Sequence, residues 1–310
     1  MTTIGFIGLG NMGRASARNL QRAGFRMVVH DLRREAGAPL EEHGATWADS
    51  PAAVVAASDI VFTMVFGPKQ IAEVVRGPQG LIAGGVAGKL WIDMTTSEPF
   101  LMRELAAEVI AAGGEAVDSP VTGSVDSAIR GDMILFVGGT DASVARATPA
   151  LEAVGVIRRV GGYGNGYVAK LVNNQLWFVG AAAIGEAMVS AKLAGLEPDV
   201  WWAAMKGGAA DSFVMQHDVP SIFAGHYDPS FRLALCLKDL GLISEFLGSV
   251  GSRAEITQAV HARFREAGER YGEDAGEMTV CKLIEDDANT NLRVDGDWAK
   301  PWEVKHASEA

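Results

Sequence analysis

Short apolar runs alternate with amphipathic segments along the first half of the chain. Seven of these runs have the length and composition of buried strands: 4–7, 26–31, 59–64, 90–94, 115–118, 133–137 and 156–160. Between them the sequence predicts helices that begin at Asn11, at Pro51 with Ser50 as cap, and at Pro99 with Ser97 as cap. Strands that alternate with helices indicate a doubly wound, mostly parallel α/β sheet.

The pattern changes near residue 162. A glycine-rich loop at 161–166 ends the strand pattern, and long amphipathic segments follow. They predict helices at 167–193, 198–205, 235–249, 253–269 and 278–287, with a further segment at 211–219. We therefore expect a sheet domain at 1–162 and an all-helical second domain at 163–310. Residues 286–310 are polar and are expected to form a loose tail.

The first apolar run leads into a glycine-rich turn, Gly8-Leu9-Gly10-Asn11-Met12-Gly13. The first glycine permits a tight turn, the second lets backbone approach a phosphate, and the third lets the helix lie close to the strand. The helix start adds a partial positive charge. Such turns also serve plain packing, but Asp31 ends the second run 18 positions beyond Gly13, near the spacing of an acid that binds the adenosine ribose. Together they predict a Rossmann-type dinucleotide-binding domain.

The amino-acid composition argues against some classes of function. A chain of 310 residues suits two domains, and 48% hydrophobic with 21% charged residues is typical of a globular protein. The net charge of −11 argues against a nucleic-acid partner, because phosphate binding requires a basic surface. Cys236 and Cys281 are the two cysteines, without partners at metal-ligand spacing. We interpret them as reduced packing residues of a cytoplasmic protein, and we predict no metal site.

The sequence shows no targeting or membrane segment. The first strand follows the N-terminus directly, without a basic region and apolar core. No uncharged apolar run reaches the roughly 18 residues that a membrane span requires. The most apolar helix, after Lys170, carries Asn173, Asn174 and Gln175. We therefore expect a soluble protein without a membrane partner.

The predicted helix at 167–193 carries Lys170 and Asn174, four positions apart and therefore on one face. A lysine near a helix start is commonly solvated. Here the neighbouring residues are apolar, and the helix is nearly free of charge up to Glu186. Desolvation favours the neutral amine, which can act as a general base near neutral pH.

A second candidate is the turn Asp118-Ser119-Pro120-Val121-Thr122-Gly123-Ser124, between a strand and the helix at 125–130. Small residues at such a turn can form an anion-binding nest suited to a carboxylate. The alternative is an ordinary helix start capped by Ser124, and both interpretations can hold together.

Four motifs in this order resemble the β-hydroxyacid dehydrogenase family, which includes 3-hydroxyisobutyrate dehydrogenases, tartronate semialdehyde reductases and sulfolactaldehyde reductases. They are Gly5-Phe6-Ile7-Gly8-Leu9-Gly10-Asn11-Met12-Gly13, Asp118-Ser119-Pro120-Val121-Thr122-Gly123, Gly164-Asn165-Gly166 through Lys170 to Asn173-Asn174, and Lys238-Asp239-Leu240-Gly241-Leu242. The resemblance covers residues 1 to about 285.

The resemblance implies a role for each matching position. Lys170 corresponds to the catalytic lysine, and Asn174 to the neighbour that orients lysine or substrate. The other implied contacts are Ser119, Thr122 and Gly123 for the substrate anion, Gly8, Gly10, Asn11, Met12, Gly13 and Asp31 for the dinucleotide, Val65 and Phe66 for adenine and ribose, Thr96 beside the nicotinamide, and Lys238 reaching the cofactor from the second domain.

The chain also departs from the family pattern. Ser124 stands where a second glycine is common, and Asp126 and Ser127 replace small apolar residues. An acid there could repel a second substrate anion or attract a substrate amine. Bulky tryptophans occupy the helical domain and serve either core packing or an aromatic substrate wall; they are Trp177, Trp201 and Trp202.

The implied reaction is hydride transfer between NAD(P) and a small 3-hydroxy acid, or its semialdehyde, sulfonate or amino-acid analogue. Neutral Lys170 takes the hydroxyl proton during oxidation and returns it during reduction. Asp31 favours NAD, because it can bind a ribose diol and would repel a 2′-phosphate. Arg33 and Arg34 leave NADP as an alternative, since they could bind that phosphate.

Three other functions stay open. A decarboxylating sugar-acid dehydrogenase is one, although its substrate phosphate would require more basic residues than the second domain offers. An imine reductase shares the architecture but usually has another residue at the position of Lys170. A non-catalytic dinucleotide-binding module would lose the lysine. Exposed apolar helix faces lead us to expect a homodimer or homotetramer.

Overall fold

The computed structural model describes residues 2–298 and divides into two compact units. The first unit extends to Leu171 and the second begins at Val172, so one long helix continues from one into the other. Each unit is described separately. The domain boundary at 162/163 lies just before this helix and stays a prediction.

The first unit contains a nine-stranded sheet, counted over residues 2–298. Its strands are β1 Thr3–Ile7, β2 Arg26–His30, β3 Thr46–Trp47, β4 Ile60–Thr63, β5 Leu90–Asp93, β6 Glu115–Asp118, β7 Val121–Thr122, β8 Met133–Gly138 and β9 Gly155–Gly161. Six of them run parallel in the order β3-β2-β1-β4-β5-β6. Strand β8 is antiparallel to β6 and β7 and parallel to β9. The predicted mostly parallel sheet is confirmed, whereas the two-residue strands β3 and β7 were not predicted.

Helices connect these strands. They are α1 Asn11–Arg22, α2 Ala38–Glu41, α3 Pro51–Ala56, α4 Pro68–Arg76, α5 Leu81–Gly84, α6 Pro99–Ala111, α7 Val125–Arg130 and α8 Asp141–Leu151, and α9 Asn165–Leu193 begins in this unit. Ser50 caps α3 as predicted, accepting the amide hydrogen of Ala53. The prediction that Ser97 caps α6 is wrong. Since Pro99 is the first helical residue, the cap position belongs to Glu98.

Both faces of the sheet are covered by apolar packing. Phe6 and Phe62 stack at 5.7 Å on one face. Ile7, Val61 and Trp91 belong to a second buried cluster. Because successive residues of a strand point to opposite faces, adjacent positions supply the two cores. This is the doubly wound arrangement that the alternation of apolar runs and helices predicted.

The second unit is all-helical over its described residues. It contains the rest of α9, α10 Pro198–Met205, a π-helical turn Val214–Asp218, α11 Val219–Ala224, α12 Leu233–Ser249, α13 Glu255–Tyr271 and α14 Thr279–Asp287. Residues up to 298 pack on these helices. Leu292 is fully buried and the Trp298 ring lies 5.0 Å from that of Phe223. The predicted loose tail is therefore wrong for 286–298, and its remainder lies outside the described residues.

Helix α9 is, by length and composition alone, apolar enough to cross a membrane. Its carboxamides nevertheless bind other helices of the second unit. Asn174 donates to Asp239 at 2.8 Å, and Gln175 donates to Thr257 at 2.8 Å. These bonds fix part of α9 against the other helices of the second unit.

Candidate functional site

The glycine turn after β1 has the conformation that its spacing predicts. Gly8 has a φ of +96°, and a Cβ on it would lie 2.1 Å from the carbonyl oxygen of Met64. A Cβ on Gly13 would lie 2.1 Å from the carbonyl oxygen of Gly8. In contrast, a Cβ on Gly10 would meet no atom within 4 Å. Gly8 and Gly13 are therefore required by packing, whereas the space beside Gly10 can admit a ligand.

This turn lies where the strand order reverses. Strand β1 pairs with β2 on one side and β4 on the other, which is the switch point where open α/β sheets bind ligands. Helix α1 begins at Asn11 directly after the extended Gly10, without a side-chain cap. Asn11, Met12 and Gly13 form its first turn, whose partial positive charge favours phosphate.

Asp31 contacts the same turn. Its carboxylate accepts the Leu9 amide hydrogen at 2.7 Å and the Arg33 amide hydrogen at 2.9 Å. The Arg33 side chain is 63% exposed, with Nε 3.7 Å from Asp31. Arg34 instead forms a bidentate pair with Glu41 and lies over a tryptophan ring. A dinucleotide fits this arrangement, since Asp31, the open space beside Gly10 and the start of α1 lie together.

The other predicted cofactor contacts of this unit follow the next two strands. The Val65 amide donates to the Thr95 hydroxyl at 3.1 Å, so the loops after β4 and β5 are joined. Phe66 is 48% exposed, and Thr96 is half-buried. These residues follow the carboxyl ends of β4, which pairs with β1, and of β5, which pairs with β4, on the ligand-binding edge of such sheets.

The predicted substrate loop connects β6 to α7. Ser119 is fully buried, and its hydroxyl has no hydrogen-bond partner among residues 2–298. Thr122 ends β7, and Gly123 has a φ of +124°, where a Cβ would lie 3.0 Å from Cβ of Ser127. Because buried hydroxyls in folded proteins nearly always have a hydrogen-bond partner, this one is exceptional.

Ser124 occupies the cap position of α7, but its hydroxyl donates to Asp126 rather than capping a backbone amide. The other oxygen of Asp126 is 2.6 Å from Nη1 of Arg130. Asp126 is therefore neutralised within its own helix, which argues against both sequence-based roles, repulsion of an anion and attraction of an amine.

Lys170 lies in the second turn of α9 and is half-buried. The start of this helix is held by Asp118, whose carboxylate accepts the amide hydrogens of Gly164 at 3.0 Å and Gly166 at 2.7 Å. Burial raises the pKa of Asp118 to about 6, against the effect of these amides. No role was predicted for Asp118, although its position at a strand end beside the turn was a usable signal.

Asp93 was missed as well. It ends β5 in register with Asp118 on β6, and it is fully buried. The hydroxyl of Tyr167, one turn before Lys170, donates to it. Burial raises the pKa of Asp93 to about 6, with its hydrogen bonds acting in the opposite direction. The first unit thus brings the glycine turn, the substrate loop and Lys170 into one compact body.

The remaining predicted site residues belong to the second unit. Asn174 follows Lys170 by one turn of α9 and binds Asp239 on α12. Nζ of Lys238 lies 2.7 Å from the other oxygen of Asp239. Asp239 belongs to one of the four motifs but no role was predicted for it, yet it joins Asn174 to Lys238.

The three tryptophans are held by packing and hydrogen bonds inside the second unit. Trp201 is buried, and Trp202 donates to the carbonyl oxygen of Met215 at 2.6 Å. Trp177 donates to the buried carboxylate of Asp218 at 2.8 Å. These contacts favour core packing over an aromatic substrate wall. Cys236 and Cys281 are buried and unpaired, and residues 2–298 contain no cluster of three metal-ligating side chains.

Two family models together span most of the chain. Residues 3–164 match the NAD binding domain of 6-phosphogluconate dehydrogenase. Residues 164–284 match the model described as NAD-binding of NADP-dependent 3-hydroxyisobutyrate dehydrogenase.

Individual proteins agree with these matches. A 3-hydroxyisobutyrate dehydrogenase from Pseudomonas aeruginosa is 36% identical, over 78% of this chain and 84% of that protein. The structure of a Mycobacterium tuberculosis 3-hydroxyisobutyrate dehydrogenase with L-serine superposes with a TM-score of 0.83 at 28% identity, covering 92% of this chain and 99% of the other.

Imine reductases are more distant. The Streptomyces aurantiacus imine reductase superposes with a TM-score of 0.59 at 21% identity, covering 91% of this chain and 99% of the other, which shows a shared fold and no more. The comparisons therefore favour the hydroxyacid dehydrogenases over the alternative imine reductase function.

Proposed function

The chain belongs to the 3-hydroxyisobutyrate dehydrogenase family of NAD(P)-dependent oxidoreductases, and we propose that Lys170 is the general acid and base of its reaction. The substrate is a small 3-hydroxy acid or the corresponding carbonyl compound. When bound, the nicotinamide cofactor supplies the hydride acceptor or donor. Lys170 takes the hydroxyl proton during oxidation and returns it during reduction.

The observation that carries this proposal is the location of Lys170. It belongs to the same compact unit as the glycine turn, on a helix whose start is fixed by Asp118. Its half-buried position limits its contact with water. A lysine on a mobile or fully solvated segment would lack both properties.

The test compares two lysines of α9. Lys170→Ala should reduce kcat by at least about 100-fold, the usual contribution of a positioned acid or base, while dinucleotide binding measured by fluorescence titration persists. Lys192→Ala is the matched control, since Lys192 lies near the end of the same helix and donates to a backbone oxygen of Asn291. Near-normal turnover in Lys170→Ala would exclude the lysine from the mechanism, whereas a wild-type protein that binds the dinucleotide but turns over no hydroxy acid would favour the non-catalytic binding module.

We assign substrate-anion binding to the loop of Ser119, Thr122 and Gly123. The buried, unpartnered Ser119 hydroxyl supports this assignment, because a substrate oxygen would satisfy it. Asn174 orients the substrate or Lys170 from the next turn of α9. A panel of 3-hydroxy acids, 3-hydroxy amino acids and sulfonate analogues, assayed for reduced nicotinamide, identifies the acid group; the M. tuberculosis structure with L-serine makes serine a necessary member.

NAD is the preferred cofactor in this proposal. Asp31 is placed against the glycine turn, where a carboxylate can bind a ribose diol and repels a 2′-phosphate. Arg34 is engaged by Glu41, which leaves Arg33 as the basic side chain available near that position. One matching family model is described by an NADP-dependent enzyme. Comparing kcat/KM with NAD and with NADP therefore tests the preference of this chain.

The assembly proposed is a homodimer or homotetramer in the cytoplasm. Several large apolar side chains of the second unit are exposed, among them Leu176, Leu193, Val200 and Ile256. Apolar side chains on the surface of helices can be covered by a second subunit. Sedimentation velocity should give two or four times the chain mass of 32.7 kDa, and a monomer at micromolar concentration would contradict the proposal.

A further inference from the structure

The carboxylate of Asp93 is a junction of hydrogen bonds at the end of β5. It accepts the hydroxyl of Thr63 at 2.5 Å, the hydroxyl of Thr95 at 2.8 Å, the amide of Thr95 at 3.2 Å and the hydroxyl of Tyr167. These donors come from the end of β4, the loop after β5 and the start of α9. One fully buried side chain therefore joins three segments of the first unit.

The first two segments carry predicted cofactor contacts. The hydroxyl of Thr95 donates to Asp93 and also accepts the amide hydrogen of Val65, so Val65 depends on the same junction. Thr96 is the next residue of that loop. Thr63 is further held by the indole N–H of Trp91, at 2.9 Å. The loops after β4 and β5 are thus fixed through Asp93.

The third segment carries the lysine. Tyr167 is 1% exposed and packs in the apolar cluster of one sheet face. Its pKa is raised well above the ordinary value, because burial and the negative charge of Asp93 disfavour the phenolate. Tyr167 therefore remains a donor. Lys170 follows at i+3, so the two residues are neighbours on the helix surface.

We propose that Asp93 is a positioning residue that couples the cofactor-binding loops to the first turn of the lysine helix, with Tyr167 as the connecting side chain. The inference rests on the proposed role of Lys170. It extends that role, because it states which buried group fixes the lysine relative to Val65 and Thr96 within one unit. An ionised carboxylate can accept all four donors at once, whereas an asparagine offers one acceptor oxygen.

The experiment uses Tyr167→Phe, which removes only the connecting hydroxyl, and Asp93→Asn, which removes acceptor capacity. The control is Tyr227→Phe, because the Tyr227 hydroxyl donates to Glu285 at 2.9 Å inside the second unit. The change is chemically the same but lies outside the predicted site. Each variant is measured for turnover, for dinucleotide Kd by fluorescence titration, and for amide hydrogen exchange of residues 164–170.

Tyr167→Phe should lower kcat about 10-fold, as expected for loss of a hydrogen bond to a charged group, and should speed exchange at 164–170 while leaving the dinucleotide Kd unchanged. Asp93→Asn should produce both effects and also weaken dinucleotide binding, because Val65 and Thr96 lose their support. Tyr227→Phe should change none of these quantities.

Unchanged exchange at 164–170 in both Tyr167→Phe and Asp93→Asn would overturn the coupling, whatever the turnover. Failure of the lysine proposal would give a different result. Lys170→Ala would keep its turnover, while Asp93→Asn would still speed amide exchange at 164–170. If Tyr167→Phe does not fold, Thr95→Val replaces it. That variant should weaken dinucleotide binding through Val65, and an unchanged Kd would equally reject the junction.

Discussion

The side-chain amide of Asn174 donates a 2.8 Å hydrogen bond to Oδ2 of Asp239, and Nζ of Lys238 lies 2.7 Å from Oδ1 of the same carboxylate. Asp239 is 2% exposed. One buried acid therefore holds the two second-unit side chains to which the sequence assigned roles. A buried charge is tolerated here because it has both an ionic partner and a hydrogen-bond donor.

Replacing this acid should impair both side chains. In Asp239→Asn the charge that orients Lys238 is lost and the bond to Asn174 is weakened. Since hydrogen bonds to charged groups contribute about 1.5–3 kcal/mol, we expect kcat/KM to fall at least about 10-fold, measured by steady-state kinetics. The control is Gln175→Ala, which removes a neutral 2.8 Å bond to Thr257 from the same helix. Equal activity in the two variants would show that Asp239 does not support the site.

The glycine turn allows packing and binding to be separated. An alanine at Gly10 meets no atom within 4 Å, so Gly10→Ala should leave the free energy of unfolding within about 0.5 kcal/mol of wild type. Its methyl group would occupy the space where a phosphate approaches, so we expect the dinucleotide Kd to rise about 10-fold or more. Chemical denaturation and fluorescence titration measure the two quantities.

Gly13→Ala is the contrasting change. Its Cβ would lie 2.1 Å from the carbonyl oxygen of Gly8, so the helix must move away from the strand and the protein should lose about 1–3 kcal/mol of stability. If Gly10→Ala bound the dinucleotide normally, the phosphate would not approach this turn and the assignment of the cofactor site would fail.

Cofactor choice should depend on Asp31. Asp31→Ser removes the acid that binds a ribose diol, so the ratio of kcat/KM for NAD to that for NADP should fall by about 10-fold or more. The substitution also removes the hydrogen bond from the Leu9 amide, which loosens the glycine turn. Because this loosening affects both cofactors equally, it cancels in the ratio. Arg34→Ala should leave the ratio unchanged, since Glu41 already binds that guanidinium. A wild-type preference for NADP that Arg33→Ala abolishes would reverse the assignment.

The fold was largely predictable because its signals are local. The central parallel strands β4 and β5 are buried on both faces and therefore appear as short apolar runs, such as the predicted run 90–94, which contains β5. Strands β3 and β7 were missed because two residues of chain carry no periodicity. The π-helical turn at Val214–Asp218 was also invisible, since a wider helical turn has no distinct residue preference in one sequence.

Site residues were predictable where backbone conformation or charge requires a particular residue type. Gly8 and Asp31 are examples, because a positive φ and an acid at a strand end can be read from spacing. Asp93 and Tyr167 could not be paired, because they are 74 positions apart and meet only after the sheet and α9 have formed. The pairing of Asp126 with Arg130 was not predicted for a related reason, since it depends on α7.

The pKa of Asp118 makes stability depend on pH in a specific direction. Its folded value of about 6 is raised from 3.8 by burial. A raised carboxyl pKa means that this group contributes stability below about pH 4, which is lost as the pH rises through about 6. Asp118→Asn cannot titrate. The free energy of unfolding of wild type should therefore fall relative to this variant between pH 4 and pH 7, by up to about 3 kcal/mol.

Urea denaturation of both proteins across this range measures the difference. Asp141→Asn, which removes an exposed carboxylate of the same unit, controls for the change in net charge. If the stability of wild type minus that of Asp118→Asn stayed constant with pH, the Gly164 and Gly166 amides would cancel the effect of burial; if it rose with pH, they would outweigh burial. In that case Asp118 would hold the start of α9 as a strongly stabilised anion, and its neutral variant should release the lysine helix at every pH.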